Sequence, residues 1–463
     1  MLGEFEGAAL NIFHLPKIAL YIAGNPMTTP PPPVVNGSDM HALMARLFPV
    51  NRSLTGDGVR LTLRVIGEHL PGLTLHEVAS GTRALDWLVP DEWNVRDAYI
   101  QNGAGQRVVD FQAHTLHLVG YSEPVDRLMS LEELQSHLFS LPDQLDAIPY
   151  VTSYYRRFWG FCLSHRQRQA LTEQNYRVVI DATLAPGYLT YADLRIPGRS
   201  KQEIFISSYV CHPSMANNEL SGPALLTALG QWLAGRDNRY SYRLVLAPES
   251  IGPIVYMSQH LEEMKRRTIA AFNLTCVGDE RAVSLMPSRQ GNTLTDRAAR
   301  HVLRHMAPEH RVYDFYQDRG SDERQYCSPG ADLPMVSIMR SRYGDYPEYH
   351  TSLDDLTVAT PAGLQRSLEL HQAAIETIER NETLCAGIVG EPHLARRGMD
   401  FNLGGGVGVA AARKQAQDLM AWSDGSRDLI DTADAMGMSL LELLPVVDLL
   451  KQQELLIPCA HSE

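Results

Sequence analysis

Residues 203–235 read EIFISSYVCHPSMANNELSGPALLTALGQWLAG, and residues 242–250 read YRLVLAPES. Each stretch opens on a short apolar run rich in branched residues, the composition of a strand buried on both faces. The first then passes through a loop of small residues into PALLTALGQWLAG, which reads as a buried helix. IVYMSQHLEEMKRR continues as a helix and IAAFNLTCV as another buried strand. Strands and helices alternating in this way predict an α/β fold, a mostly parallel central sheet flanked by helices. On such sheets functional groups gather where strands end and loops begin.

On the N-terminal side, Leu43, Leu47, Leu61, Leu63 and Ile66 recur at mostly helical spacing around the turn-rich NRSLTGDG at 51–58. Two helices about a loop are expected. Between Leu73 and Leu194 the pattern changes to short alternating runs, such as HTLHLVGY at 114–121, and a mostly β insertion is expected. Beyond Glu391 the glycine-rich LGGGVG at 403–408 leads into a helical stretch ending near Leu456, with the helix lengths and turns of a winged helix. That stretch is more acidic than basic, which suits packing or partner docking better than DNA. The expected division is a flexible extension over 1–36, a core domain over 37–72 and 186–388, an inserted β-rich subdomain over 73–185, and a winged-helix-like domain over 389–463.

The chain has 463 residues, 44% apolar and 21% charged, with a net charge of −13. These values fit a packed globular enzyme, and the acidic balance argues against nucleic acid as the main partner. Six cysteines lie scattered without CxxC spacing, so neither a disulfide framework nor a zinc ribbon is expected, and a reducing compartment fits. The apolar stretch from Ala8 to Gly24 contains His14, Pro16 and Lys17, follows Glu4 and Glu6, and is short for a membrane span. A cytoplasmic location without a membrane partner is the expectation.

Four elements at strand ends carry chemistry. His212 closes the first strand and Glu219 follows in its loop; Glu249 closes the next; Asp279 lies beyond the third; His350 sits in SRYGDYPEYHTSLDDL before Asp354 and Asp355. Imidazole and carboxylate are the borderline ligands that zinc accepts. Each element has a plainer reading: a hydrogen-bonded loop histidine with helix-capping Asn and Glu, a salt-bridged Glu249, a solvated Asp279.

Taken together, the order His, Glu, Glu, His resembles the zinc aminopeptidases of the co-catalytic type and their mononuclear relatives, the glutaminyl cyclases. In that family a strand-end His precedes an Asp in a DNxSG loop, then come a Glu-Glu pair, a further Asp, and a late His before a Thr. His212, NELSG at 218–222, Glu249, and His350 with Thr351 match these elements, whereas Asn218, Pro248 and Thr275 stand where carboxylates are expected. The resemblance implies metal ligands His212, Glu219, Glu249 and His350, and one zinc more readily than two. The missing base leaves Glu249, Asp322 and Glu323 as candidates, with Asp279 behind them. Tyr326 and Tyr349 are either oxyanion donors or packing aromatics. Arg156 and Arg157, clustered in YVTSYYRRFWGFCLSH at 150–165, suit a wall of the substrate pocket facing a carboxylate or an acidic sugar.

The segments LFPVNRSLTGDGVR, VCHPSMANNELSGP and YPEYHTSLDDL are similar to a group of bacterial aminopeptidase-like proteins with an inserted β domain and a C-terminal winged-helix segment. That group is associated with polysaccharide or natural-product biosynthesis. The resemblance implies a zinc-dependent hydrolase of an amide, peptide or amino-acyl conjugate. Its partner would be a small-molecule or peptide substrate, with self-association left open. The lost carboxylates support one alternative, a catalytically inactive protein that binds a peptide or glycan intermediate.

Overall fold

Every residue of the strand Glu203–Tyr209 is buried. Ile204 and Ile206 enter one apolar core and Phe205 the other, so the strand separates two packed layers. The apolar run Ile204–Ile206 at its centre follows from that position. The computed structural model describes residues 33–397 and 407–459. Most of the expected N-terminal extension and most of the glycine-rich segment at 403–408 lie outside the described residues.

The strand belongs to an eight-stranded sheet whose four central strands, Ser241–Ala247, Glu203–Tyr209, Thr268–Asn273 and Met335–Met339, are parallel. Antiparallel pairing extends it on both margins, through Tyr188–Ile196 and Thr74–Ala79 on one side and Ser284–Met286 on the other. Thr74–Ala79, which its alternating pattern grouped with the insertion, is thus an edge of the central sheet; alternation marks any strand with one solvated face. The insertion has its own antiparallel sheet, in the order Arg107–Asp110, Glu92–Gln101, Asn175–Ala185, Val125–Ser130.

The two N-terminal helices form as expected, at Gly37–Leu47 and Asp57–His69. Together with Ser221–Ala234 and Pro361–Arg380 they contribute to one core, while Ile251–Arg267 packs into the other beside the insertion. Gly222 sets how closely Ser221–Ala234 meets the sheet. A Cβ there would stand 2.3 Å from Ser208 Oγ and 2.4 Å from the Leu274 carbonyl oxygen. The loop preceding that helix is therefore pressed directly over the strand ends.

At the C-terminus, helices Val407–Trp422, Leu429–Met436 and Leu440–Gln452 accompany a three-stranded sheet of Asp424–Asp428, Thr383–Ala386 and Leu456–Pro458. Ile430, Leu440 and Leu443 join the same core as the helix Pro361–Arg380. Ion pairs Arg380 to Asp448 and Lys451 to Glu382 fix the last helix. Cys385 and Cys459 form a disulfide, Cα atoms 5.2 Å apart, which corrects the expectation of no disulfide. The pairing arises because Thr383–Ala386 lies antiparallel to Leu456–Pro458, a proximity that a separation of 74 residues does not reveal. No helix among the described residues is long and apolar enough to cross a membrane.

Candidate functional site

Because the central strands are parallel, their C-terminal ends lie at one edge of the sheet, and the loops that follow carry His212, Glu249, Thr275 and His350. The chain turns sharply there. Ser214, Ser250, Cys276 and His350 take φ of 44°, 65°, 50° and 56°, a region that costs a non-glycine residue about 1–3 kcal/mol. Strain is therefore held in the loops that bear the candidate ligands.

His212 is buried, and Glu219 Oε2 accepts from both its backbone N–H and its Nδ1 at 3.0 Å. With the proton on Nδ1, a neutral ring keeps its lone pair on Nε2, which lies 3.6 Å from Glu249 Oε2. Glu219 is itself held in place. Arg52 Nε stands 3.4 Å from its Oε1 and donates to the His212 carbonyl at 3.0 Å, while Arg52 Nη1 donates to the Leu47 carbonyl at 2.7 Å. Both side chains of this ion pair are fully buried. Burial alone would lower the His212 pKa, but the Glu219 hydrogen bond and the Glu249 charge outweigh it and raise it.

Donor atoms of Cys211, His212 and Glu219 lie within 4.8 Å of one another. Burial, helped by Glu219 and Glu249, pushes the Cys211 thiol well above its ordinary pKa, and its sulfur accepts the Glu249 amide at 3.3 Å.

The His350 ring lies 5.4 Å from that of His212, with Tyr150 edge-on to it at 5.2 Å and Tyr349 stacked on it at 3.9 Å. Burial, then the nearby His212, push its pKa down to about 3, so the ring is neutral near pH 7. Its Nε2 is buried and has no hydrogen-bond partner among the described residues. A buried polar atom left in that state costs about 1–3 kcal/mol. Asp354 does not serve His350; its carboxylate caps the Asn217 and Asn218 amides at 2.7 and 2.9 Å and accepts the Tyr346 hydroxyl at 2.8 Å.

The other sequence-derived residues fall into two groups. Asp322 is at the site: its Oδ1 accepts the Ser250 amide at 2.8 Å, and burial plus the Glu249 charge push its pKa well up. Burial likewise raises Glu249, against the pull of His212 and Arg324. The Glu249 charge thus disfavours ionisation of Asp322. Glu323, by contrast, is saturated by the Gly320 and Ser321 amides, the Tyr343 hydroxyl and Asn273 Nδ2. Asp279 is saturated too, by Asn217 Nδ2, the Ser341 amide and hydroxyl, and the Arg281 amide. Tyr326 is in the core with its hydroxyl 3.2 Å from Ser207 Oγ. Arg157 lies 3.5 Å from Asp91 and 3.6 Å from Glu123, and Arg156 sits over the Phe158 ring at 4.8 Å.

At the positions where the resemblance expects carboxylates, a neutral network stands instead. The Tyr209 hydroxyl is 2.8 Å from Asn218 Oδ1 and 2.7 Å from Thr275 Oγ1. Arg52, Tyr150, Tyr209 and Arg324 are the site residues that sequence reasoning missed. Arg52 alone carried a signal, a cationic side chain inside a turn-rich segment.

A parallel sheet with ligand-type residues at its C-terminal edge and a winged helix appended defines an aminopeptidase-like protein, and comparison with known proteins agrees. A zinc aminopeptidase from Bacillus subtilis has the same fold, at a TM-score of 0.53 and 13% identity over 75% of this chain and 95% of that one. Residues 41–381 match the family described as domain of unknown function DUF4910, and residues 383–458 match a winged helix-turn-helix family. The chain belongs to the DUF4910 family. It is 41% identical, over 91% of its length and 96% of the relative's, to a Clostridium acetobutylicum protein provisionally named for polysaccharide biosynthesis and an aminopeptidase-like domain. It also resembles the crystal structure of a provisionally named peptidase from that organism, at a TM-score of 0.86 and 39% identity over 91% and 96% of the two chains.

Proposed function

We propose that the chain is a zinc-dependent hydrolase that cleaves an amide bond with water, releasing a carboxylate and an amine. The observation that carries this reading is the unpartnered, buried Nε2 of His350 beside a His212 whose own Nε2 faces Glu249. Two imidazoles and one carboxylate are a donor set suited to a catalytic zinc. His212, Glu249 and His350 would hold the ion, which supplies Lewis acidity and a bound water of lowered pKa.

Glu219 acts from behind. It meets His212 at Nδ1, the nitrogen opposite the one that faces Glu249, so its role is to fix the tautomer and aim the ring. The neutral Asn218, Thr275 and Tyr209 cluster supports one ion over two, since the carboxylates needed to bridge a pair are replaced by hydrogen-bonded neutral groups. Asp322 is the proton carrier that remains once Glu323 and Asp279 are seen to be saturated. One of its oxygens takes the Ser250 amide, and its other oxygen has no hydrogen-bond partner among the described residues.

Zinc content of the purified protein tests the reading. The wild-type chain is expected to retain about one equivalent, and His212→Ala and His350→Ala are expected to lose it. Full metal content in both variants would overturn the assignment.

A further inference from the structure

One charge at the rim of the site has no function in that account. Arg324 is exposed and forms no ion pair among the described residues. Its one side-chain hydrogen bond among the described residues runs from Nη2 to Ser250 Oγ at 2.7 Å. Ser250 directly follows Glu249, holds φ at 65° and donates its amide to Asp322. The same strained turn thus positions a candidate ligand, the proton carrier and a guanidinium. The Arg324 charge reaches Glu249, Asp322 and Tyr349.

An arginine tethered at one nitrogen keeps its remaining donors for an oxyanion. An aminopeptidase substrate would instead need a free carboxylate to receive its α-ammonium. The carboxylates of the site already have tasks: Glu219 is fully buried in an ion pair with Arg52 and accepts from His212, Asp322 is the proton carrier held by the Ser250 amide, and Glu323 and Asp279 each accept from four donors. Arg157, the cation the sequence suggested for a substrate acid, is already beside Asp91 and Glu123.

We infer that Arg324 binds a carboxylate carried by the substrate, so that the amide cleaved bears an acidic group instead of a free amino terminus. This rests on the metal-site reading above and names the substrate class of that site. Two hydroxamates separate the two claims. Acetohydroxamate offers only a metal-binding head, and succinate monohydroxamate offers the same head with a carboxylate.

Titration calorimetry on the full chain loaded with zinc is expected to show the succinyl compound binding about tenfold more tightly or better, the scale of a charge-assisted contact. In Arg324→Gln the ratio of the two affinities, each measured on that variant, should fall to near one; Arg324→Lys should restore part of it. Equal affinities in the wild type, or an unchanged ratio in Arg324→Gln, would overturn the inference and leave the metal site standing. Failure of both hydroxamates to bind would overturn the metal site and this inference with it.

Discussion

Glu219 Oε2 stands 3.0 Å from His212 Nδ1, and Arg52 Nε stands 3.4 Å from the other Glu219 oxygen. A histidine at a strand end is therefore aimed by a carboxylate that is in turn aimed by an arginine of the first helix-loop-helix segment. All three side chains are buried, so none of these positions is averaged by solvent.

Glu219→Gln keeps the volume and weakens the acceptor at Nδ1. Zinc affinity is expected to fall about 10–100-fold, the usual effect of removing such support, as read by competition with a chelating dye. Arg52→Met leaves the Glu219 charge buried and unpaired, and breaking a buried pair costs about 3–5 kcal/mol, as read by urea unfolding. The double variant should recover much of that stability without recovering the affinity. Wild-type affinity in Glu219→Gln would remove the positioning role.

Gly222 tests whether the site depends on close helix-to-sheet contact. An added methyl would meet the Leu274 carbonyl oxygen at 2.4 Å, and backbone cannot yield as a side-chain tip can. Gly222→Ala is expected to cost about 1–3 kcal/mol, seen as a lower urea midpoint. Because Asn218 and Glu219 sit in the turn just before this helix, zinc affinity should fall as well. Gly235→Ala, whose Cβ would have no neighbour closer than 3.8 Å, serves as the control and should change neither.

The central sheet was legible because strands such as 203–209 and 241–247 are buried on both faces and so carry apolar runs, Ile204–Ile206 and Leu244–Ala247. Edges were less so: Thr74–Ala79 alternates as an insertion strand would, and only its pairing with Tyr188–Ile196 assigns it. His212, Glu249 and His350 could be read from their places at strand ends and in the late loop. Asp322 and Glu323 could not be told apart in sequence. One residue of offset turns Glu323 toward four donors while Asp322 meets the turn after Glu249. Arg52 and Tyr150 come from distant parts of the chain, and tertiary folding alone brings them to His212.

His371 lies in the core on the helix Pro361–Arg380. Its Nδ1 is 2.8 Å from the Ser367 carbonyl oxygen, and its buried Nε2 has no partner among the described residues. Burial lowers its pKa to about 4, whereas in the unfolded chain it is about 6.5. The unfolded state therefore takes up the proton first, so the stability this residue permits is intact above the unfolded value and is lost as pH falls toward the folded one. Between pH 7 and pH 5 the wild type is expected to lose about 2 kcal/mol more than His371→Leu, in paired denaturant titrations. Parallel losses in the two proteins would mean that His371 is not the group responsible.

The Cys385–Cys459 disulfide closes the sheet of the C-terminal unit, whose core residues Leu384, Leu443 and Leu456 are continuous with the core of the larger domain. A cross-link over a separation of 74 residues restricts the unfolded chain by about 4 kcal/mol in the loop-entropy account. Cys459→Ser is therefore expected to lower the urea midpoint by a large fraction of that amount. The shared core makes a single transition the expected form of the curve. The chemistry can be checked separately: the denatured, unreduced chain should alkylate at the four cysteines that are free in the fold, and at all six after reduction. Alkylation of six without reductant would show the bond absent in the purified protein, and Cys459→Ser should then leave stability nearly unchanged, because the packing of Leu384 against the last strand does not need the cross-link.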